Sequence, residues 1–269
     1  YDMEGAGIMS KLQHAYYIKA RNRKRMITAA RILLFTAIII LWELLTRLHI
    51  IDAFIFSSPS RIIKTFINML MDGSIIYHTC VTLAETLISF ALIVFLGISI
   101  AIILWFNPVL SKILEPFLIV LNSLPKSALA PMLIVWLGNN PKAIIVTAVS
   151  VAVFGTIINI YTGFMETDPD KIRLIYTLGG NRQHILTKLI LPYSIKIILS
   201  NMKVSIGLAL VGVIIGEFLA ARSGLGYLII YGSQIFKMDW VALSIVILCI
   251  ISMILFKLID YAYRKFSLP

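Results

Sequence analysis

The chain has 269 residues, of which 59% are hydrophobic and only 14% charged, with a formal net charge of +11. A soluble domain carries roughly 45–50% apolar and about 25% charged residues, so a single water-soluble core is excluded and the excess apolar surface needs lipid as its solvent. The positive charge does not point to nucleic acid, because the aromatics lie within apolar runs and not beside a basic groove; Lys and Arg gather where membrane segments meet the cytoplasm.

In chain order, residues 1–8 read as an expression remnant, with Met9 as the native start. Residues 1–31 form a basic cytoplasmic lead that includes Lys11, Lys19, Arg21, Arg23, Lys24 and Arg25. The apolar run behind it, Ile32 to Ile51, is too long for a signal-peptide core and is a retained first span. Glu43 and Arg47, four apart, pair along one face of it. Ser57-Ser58-Pro59-Ser60 signals a helix start, and Arg61 to Met71 places Ile62, Ile63, Phe66, Ile67 and Leu70 at helical spacing. That stretch is too short to span and fits an amphipathic helix lying in the outer interface.

The second span runs from Thr79 to Phe106 and ends at Asn107-Pro108. The third, Ile113 to Leu137, carries Pro116, Pro125 and Pro131 and closes at Gly138-Asn139-Asn140-Pro141. The fourth runs from Ala143 to Met165 and the fifth from Leu189 to Ala221. After a turn at Arg222 to Tyr227 comes a short apolar segment, Leu228 to Met238, which is re-entrant or interfacial. The sixth span is Val241 to Tyr261, followed by Arg264-Lys265. The fold class is therefore all-α, a polytopic transmembrane bundle of about six spans, with a membrane domain over residues 32–265. The Lys/Arg bias places both termini in the cytoplasm. Cys80 and Cys249 lack metal or redox spacing and read as packing residues. The histidines, His14, His49, His78 and His184, are scattered, so no catalytic or metal-ligating constellation emerges.

The stretch between the fourth and fifth spans, residues 166–189, is polar and too long for a tight turn. Asp168 is an N-cap and Pro169 suits the first helical position, giving a short helix to Leu178. Gly179-Gly180 stops it, and Asn181 caps a second helix through Lys188, with Pro192 near the next membrane segment. The apolar residues Ile172, Ile175, Leu178, Ile185 and Leu189 need a cover. Either a partner or the chain's own bundle supplies it, and spacing alone does not choose.

Thr177-Leu178-Gly179-Gly180-Asn181-Arg182-Gln183 through Ile190-Leu191-Pro192 resembles the cytoplasmic signature loop of binding-protein-dependent ABC permeases. The family pattern is Glu-Ala-Ala, three residues, Gly, then Ile-x-Leu-Pro. Gly179 stands at the Gly and Pro192 is in register, whereas Arg173-Leu174-Ile175 replaces Glu-Ala-Ala. Pro125-Lys-Ser-Ala128-Leu-Ala-Pro131 through Gly138, and Gly216-Glu217 through Gly224-Leu-Gly226-Tyr227, are similar to the nitrate, sulfonate, taurine and bicarbonate branch. The resemblance implies a type I importer permease in a bacterial inner membrane. Two permease subunits, expected as a homodimer, form the pathway; two cytoplasmic ATPase subunits dock on the loops; an extracytoplasmic binding protein delivers solute. Asp168, Arg173, Ile175, Leu178, Gly179, Gly180, Asn181, Arg182 and Pro192 are then the coupling residues. No Gly-x-x-x-x-Gly-Lys-Ser/Thr loop occurs in the chain, so ATP and Mg²⁺ belong on the partner ATPase and no cofactor is expected here.

Ionisable groups at membrane depth mark function by default. Lys126, between the helix-kinking Pro125 and Pro131, is expected to face the pathway. Lys203 is expected near mid-membrane, meeting an anionic solute or pairing with an acid such as Glu85. Glu217 is read as holding the Gly224–Gly226 turn. Gly207, Gly212 and Gly216 mark close helix packing, within the subunit or across a dimer. The two lysines favour an anion as solute; the same importer class carrying a pyrimidine-type solute is one alternative. An ion-coupled secondary transporter, kept open by Glu85, is the other.

Overall fold

The computed structural model describes residues 11–267; the start at Met9 lies outside them. The chain divides at Ile63/Lys64 into two units. In the first, α1 (Lys11–Arg47) is followed by α2 (Ala53–Phe56) and the start of α3 (Pro59–Met71). The basic lead and first span are thus one continuous helix, which ends before Ile51. Ile32, Leu33, Leu34 and Phe35 on successive sides of α1 are all exposed, as expected of a helix that needs lipid around it. Glu43 accepts from Arg47 Nε at 2.8 Å and from the Ser60 backbone N–H at 3.1 Å, so one carboxylate ties the end of α1 to the start of α3. Asp52 caps α2 by accepting from Phe54 N–H at 2.8 Å.

The second unit is the bundle. Its members are α4 (Ser74–Phe106), α5 (Pro108–Ser123), α6 (Lys126–Leu137), α7 (Pro141–Met165), α8 (Pro169–Thr177), α9 (Arg182–Ile185), α10 (Leu191–Ala220), α11 (Leu225–Gln234) and α12 (Met238–Ser267). Its centre is a trio: α7 packs along α10 and α4, and α10 also meets α4. α12 and α11 lean on each other and on α10, while α5 and α6 pack on α7. Ile93, Ala152 and Ala209 form a buried layer where the three central helices meet.

Small residues decide how near these helices come. A Cβ on Gly212 would lie 2.6 Å from the Cα of Ala148, and one on Gly216 would lie 3.0 Å from the Cα of Ile144. The small-xxx-small pair therefore packs within the subunit, between α10 and α7. Gly207 has nothing within 4 Å of such a Cβ and takes no part in this seam. Further along, Thr156 Oγ1 and Ser205 Oγ lie 3.0 Å apart and Asn159 Nδ2 donates to Asn201 Oδ1 at 3.1 Å, so the same two helices are also joined by polar contacts.

The third expected span is not one helix. α5 and α6 meet at 97°. Pro125 lacks an N–H and drives the preceding residue out of the helical region; Leu124 accordingly has ψ 139°. Pro116 and Pro131 remain inside α5 and α6. Among the described residues, five helices are long and apolar enough to cross a membrane, or six if this bent pair is one broken span. The second short helix expected over Asn181 to Lys188 is likewise not separate. α9 continues through a π turn, Leu186–Ile190, into α10, and the Leu191 N–H reaches back to the Leu186 carbonyl. Pro192 cannot sit against the carbonyl four residues back in a tight α turn, and the wider turn takes up that clash. The segment expected over Leu228 to Met238 is α11, which starts earlier, behind Gly224 with φ 111°.

Gly212→Ala is expected to lower stability by about 1–3 kcal/mol through overpacking, while Gly207→Ala is neutral or slightly stabilising. Thermal unfolding of the purified protein in detergent checks this; equal losses at the two positions would remove the seam from the account.

Candidate functional site

The segment between α7 and α10 is built by capping. Asp168 accepts from Asp170 N–H at 2.9 Å and Pro169 opens α8. At its end Gly179 N–H donates to Tyr176 O at 3.0 Å and Gly180 N–H to Ile175 O at 2.9 Å. Gly179 has φ 79°, a conformation costly for any residue with a Cβ. Gly180 is constrained differently: a Cβ there would lie 2.8 Å from the Ile175 carbonyl oxygen. Asn181 then accepts from His184 N–H at 2.9 Å while His184 Nδ1 accepts from Asn181 N–H at 3.2 Å, a reciprocal cap. Sequence reasoning set His184 aside as one of four scattered histidines; its place three residues after a helix-capping Asn was the signal. Arg182 Nη1 donates to the Phe106 carbonyl at 2.8 Å, fastening this segment to the end of α4.

The apolar residues of this segment divide. Ile172, Ile175, Ile185 and Leu189 pack with Ile160, Phe164 and Trp105. Ile175 was expected at a partner contact; it faces the chain's own bundle, because the α8 stripe holding Ile172 and Ile175 is the one turned toward Phe164. Leu174 and Leu178, four apart, are exposed on another side of α8, Leu178 by 78%, and Tyr176 is exposed elsewhere on its surface. Arg173 is exposed beside Asp170, at 3.4 Å, and Pro192 is exposed on α10. α8 and its C-cap thus present an exposed apolar pair, Leu174 and Leu178, on a backbone fixed by Ile172 and Ile175.

The two lysines expected in the pathway each make contacts within the chain. Lys126 opens α6 directly behind Pro125, and its ammonium donates to the carbonyls of Leu121 and Asn122 at the end of α5. It closes the break that Pro125 makes, with Phe154 5.6 Å away. Pro131 lies inside α6. Lys203 Nζ pairs with Asp260 Oδ1 at 2.5 Å and sits 3.8 Å above the Tyr263 ring. Its partner is on α12 and is not Glu85; Arg264 shares the same carboxylate at 2.8 Å.

What sequence reasoning missed is a polar groove along α7 and α10. Its volume is about 380 Å³, and Asn159 and Thr162 on α7, with Glu166 at the C-cap of that helix, face Ser200 and Asn201 on α10, with Gly163, Ile197 and Val204 completing the walls. The signal was present: residues 159, 162 and 166 follow helical spacing along one face of an otherwise apolar span. At the opposite end of α10, Glu217 is 1% exposed. It accepts from Thr82 Oγ1 at 2.7 Å and from Gly226 N–H at 2.5 Å. Thr82 in turn accepts from Leu225 N–H at 2.8 Å, and His78 Nδ1 accepts from Gly224 N–H at 3.0 Å. Glu217 therefore holds the Gly224–Gly226 turn against α4.

A bundle with an apolar exterior and a polar cleft along two of its three central helices is the build of a transport permease. The profile described as "Binding-protein-dependent transport system inner membrane component" matches residues 93–267, and the chain belongs to that family. It is 26% identical over 262 residues to a putative aliphatic sulfonates transport permease protein SsuC of Bacillus subtilis, covering 97% of this chain and 95% of that one. It is 28% identical to the formylaminopyrimidine transport permease protein ThiX of Halalkalibacterium halodurans, over 72% of this chain and 77% of the relative. It is 27% identical to the riboflavin transport system permease protein RibX of Chloroflexus aurantiacus, over 82% of both. In fold it is similar to a chain of the MetNI methionine ABC transporter in an inward-facing conformation, with a TM-score of 0.63 at 17% identity, covering 74% of this chain and 98% of that one. The protein is thus a membrane-embedded ABC importer permease, which sets aside the ion-coupled secondary transporter, and membership implies ATPase partners and a binding protein.

Glu217→Leu leaves the Gly226 N–H without its acceptor and the Thr82 hydroxyl with only the more distant His78 carbonyl at 3.3 Å, at a cost of about 1–3 kcal/mol. A lowered melting temperature of the detergent-purified protein, with Glu217→Asp retaining part of the stability, is the expected result.

Proposed function

We propose that this chain is the pathway-forming subunit of an ATP-driven importer in a bacterial cell membrane, working as a homodimer with two ATPase subunits and an extracytoplasmic binding protein. ATP and Mg²⁺ are held by the ATPases. Both termini and residues 166–189 face the cytoplasm, with residues 1–31 as a basic cytoplasmic lead and residues 32–265 as the membrane domain. The observation that carries the reading is the two-faced α8. Its inner face is locked into the core by Ile172 and Ile175, while Leu174, Tyr176 and Leu178 remain exposed. An apolar pair displayed on a short, doubly capped helix suits insertion into a groove of another protein. Because α9 runs on into α10 through the π turn, a displacement of this segment by an ATPase is delivered to the helix that forms one wall of the polar groove. Asp168, Gly179, Gly180, Asn181, Arg182 and Pro192 serve to shape and anchor the segment; Leu174, Tyr176 and Leu178, with Arg173 beside them, make the contact.

The groove itself is proposed to line the pathway. Polar side chains at membrane depth are tolerated where they face a water-filled cavity or another subunit, and the Asn159–Asn201 pair lies on such a surface.

Gly179→Leu forces a side chain into φ 79°, at a cost of about 1–2 kcal/mol in backbone strain. With the double variant Leu174→Glu/Leu178→Glu, it is expected to release the ATPase or to uncouple hydrolysis from uptake while the spans still insert. Co-purification of the ATPase together with vesicle uptake measures this. Normal uptake with normally bound ATPase in both variants would refute α8 as the coupling element.

Sidedness is tested with Lys142→Cys and Arg173→Cys, both at exposed positions, in a Cys80→Ala/Cys249→Ala background. A membrane-impermeant maleimide added to intact cells is expected to label the first and to reach the second only after permeabilisation. Labelling of both from one side contradicts the orientation.

A further inference from the structure

We infer that the α7–α10 groove accepts an uncharged or cationic solute rich in hydrogen-bonding groups, such as a heterocycle bearing amino or amide substituents, and disfavours anions such as sulfonates; this rests on the reading that the groove lines the pathway. The groove of about 380 Å³ is of a size to hold a single ring system. Its polar lining consists of two carboxamides, Asn159 and Asn201, two hydroxyls, Thr162 and Ser200, and one carboxylate, Glu166. The single bond between the amides, Asn159 Nδ2 to Asn201 Oδ1 at 3.1 Å, leaves Asn159 with a carbonyl oxygen and one N–H and Asn201 with two N–H groups. Both donors and acceptors are therefore offered side by side, which suits a ring edge carrying an amino group next to a ring nitrogen or carbonyl.

The charge in the groove points the same way. None of its eight lining residues is a lysine or arginine, and Glu166 is the only ionisable one. Lys203, on the next turn of α10, is turned to Asp260 on α12. Lys196, one turn before Ser200, lies outside the lining. Lys171 rests 6.0 Å from the Tyr193 ring. A sulfonate placed in the groove would meet a carboxylate and no lining cation, whereas an amino group would meet an acceptor. Anion selection of the kind that Lys126 and Lys203 suggested has no cation in this lining to carry it out.

The test uses Ser200→Cys in the Cys80→Ala/Cys249→Ala background, in the assembled importer in inside-out vesicles. Modification rates are measured for a trimethylammonium-ethyl and a sulfonatoethyl methanethiosulfonate, each corrected for its rate on a free thiol. The expected result is modification by both, about tenfold faster for the cationic reagent given one carboxylate nearby, with the preference lost in Glu166→Gln. Formylaminopyrimidine at millimolar concentration is expected to slow modification, and ethanesulfonate is not. An equal or faster rate for the anionic reagent, or protection by ethanesulfonate instead, overturns the solute class while leaving the pathway reading in place. No modification by either reagent, in nucleotide-free and nucleotide-trapped states alike, overturns the pathway reading and the inference with it.

Discussion

The close approach of α10 to α7 at Gly212 and Gly216 is the constraint on which the rest of the bundle depends. In lipid there is little hydrophobic gain from bringing two apolar helices together, so contact must come from dispersion at short range and from polar pairing. Gly212 and Gly216 provide the first, resting directly on the backbone of Ala148 and Ile144. Thr156–Ser205 and Asn159–Asn201 provide the second. The two devices occupy different lengths of the same seam. Where glycine sets the spacing there is no room between the helices; where Asn, Thr and Ser line the seam, a cleft opens. A single helix pair thus makes both the closed and the open part of the subunit.

At the closed end, Glu217 fixes the course of the chain beyond α10. The backbone must reverse at Gly224, and the N–H groups exposed by that turn are taken by Glu217, Thr82 and His78. In a membrane an unsatisfied turn of this sort is too costly to persist, so the start of α11 is fixed by Glu217 together with Thr82 and His78. At the open end the links are of a different kind. Arg182 bonds the α4 terminus, and Asp260 gathers Lys203 and Arg264, so that α12 is fastened to α10 close to where the cleft begins.

Much of this was legible in the sequence. Hydropathy alone found the long helices, because a span of twenty apolar residues has few other meanings. Asp168-Pro169, Gly179-Gly180 and Asn181 declared the short helix and its stops through their capping chemistry, and Glu217 was correctly connected to the Gly224–Gly226 turn. The failures share a cause: each depended on which way a side chain points. Pro125 was seen as a kink, but the angle of 97° is set by Leu124 and by Lys126 closing the break. For Lys203 the expected pairing with an acid holds, but the acid is Asp260, 57 residues away in the chain, and not Glu85. Ile175 and Leu178 looked alike as apolar residues three apart, yet one is inside and the other outside. The groove went unnoticed because its polar residues are few and are spread over two helices that sequence does not place side by side.

The π turn at Leu186–Ile190 has a geometric consequence. Each residue advances an α-helix by about 100°, so accommodating an additional residue in a widened turn sets the angular phase between the Asn181-capped turn and α10. Ile185, Leu186 and Ile190 all remain buried across it, which they would not if the phase were shifted. The residue count between Gly180 and Pro192 therefore fixes a rotation as well as a length. A rotation of α10 about its axis would carry Ser200 and Asn201 relative to Asn159 without any need for the helices to separate.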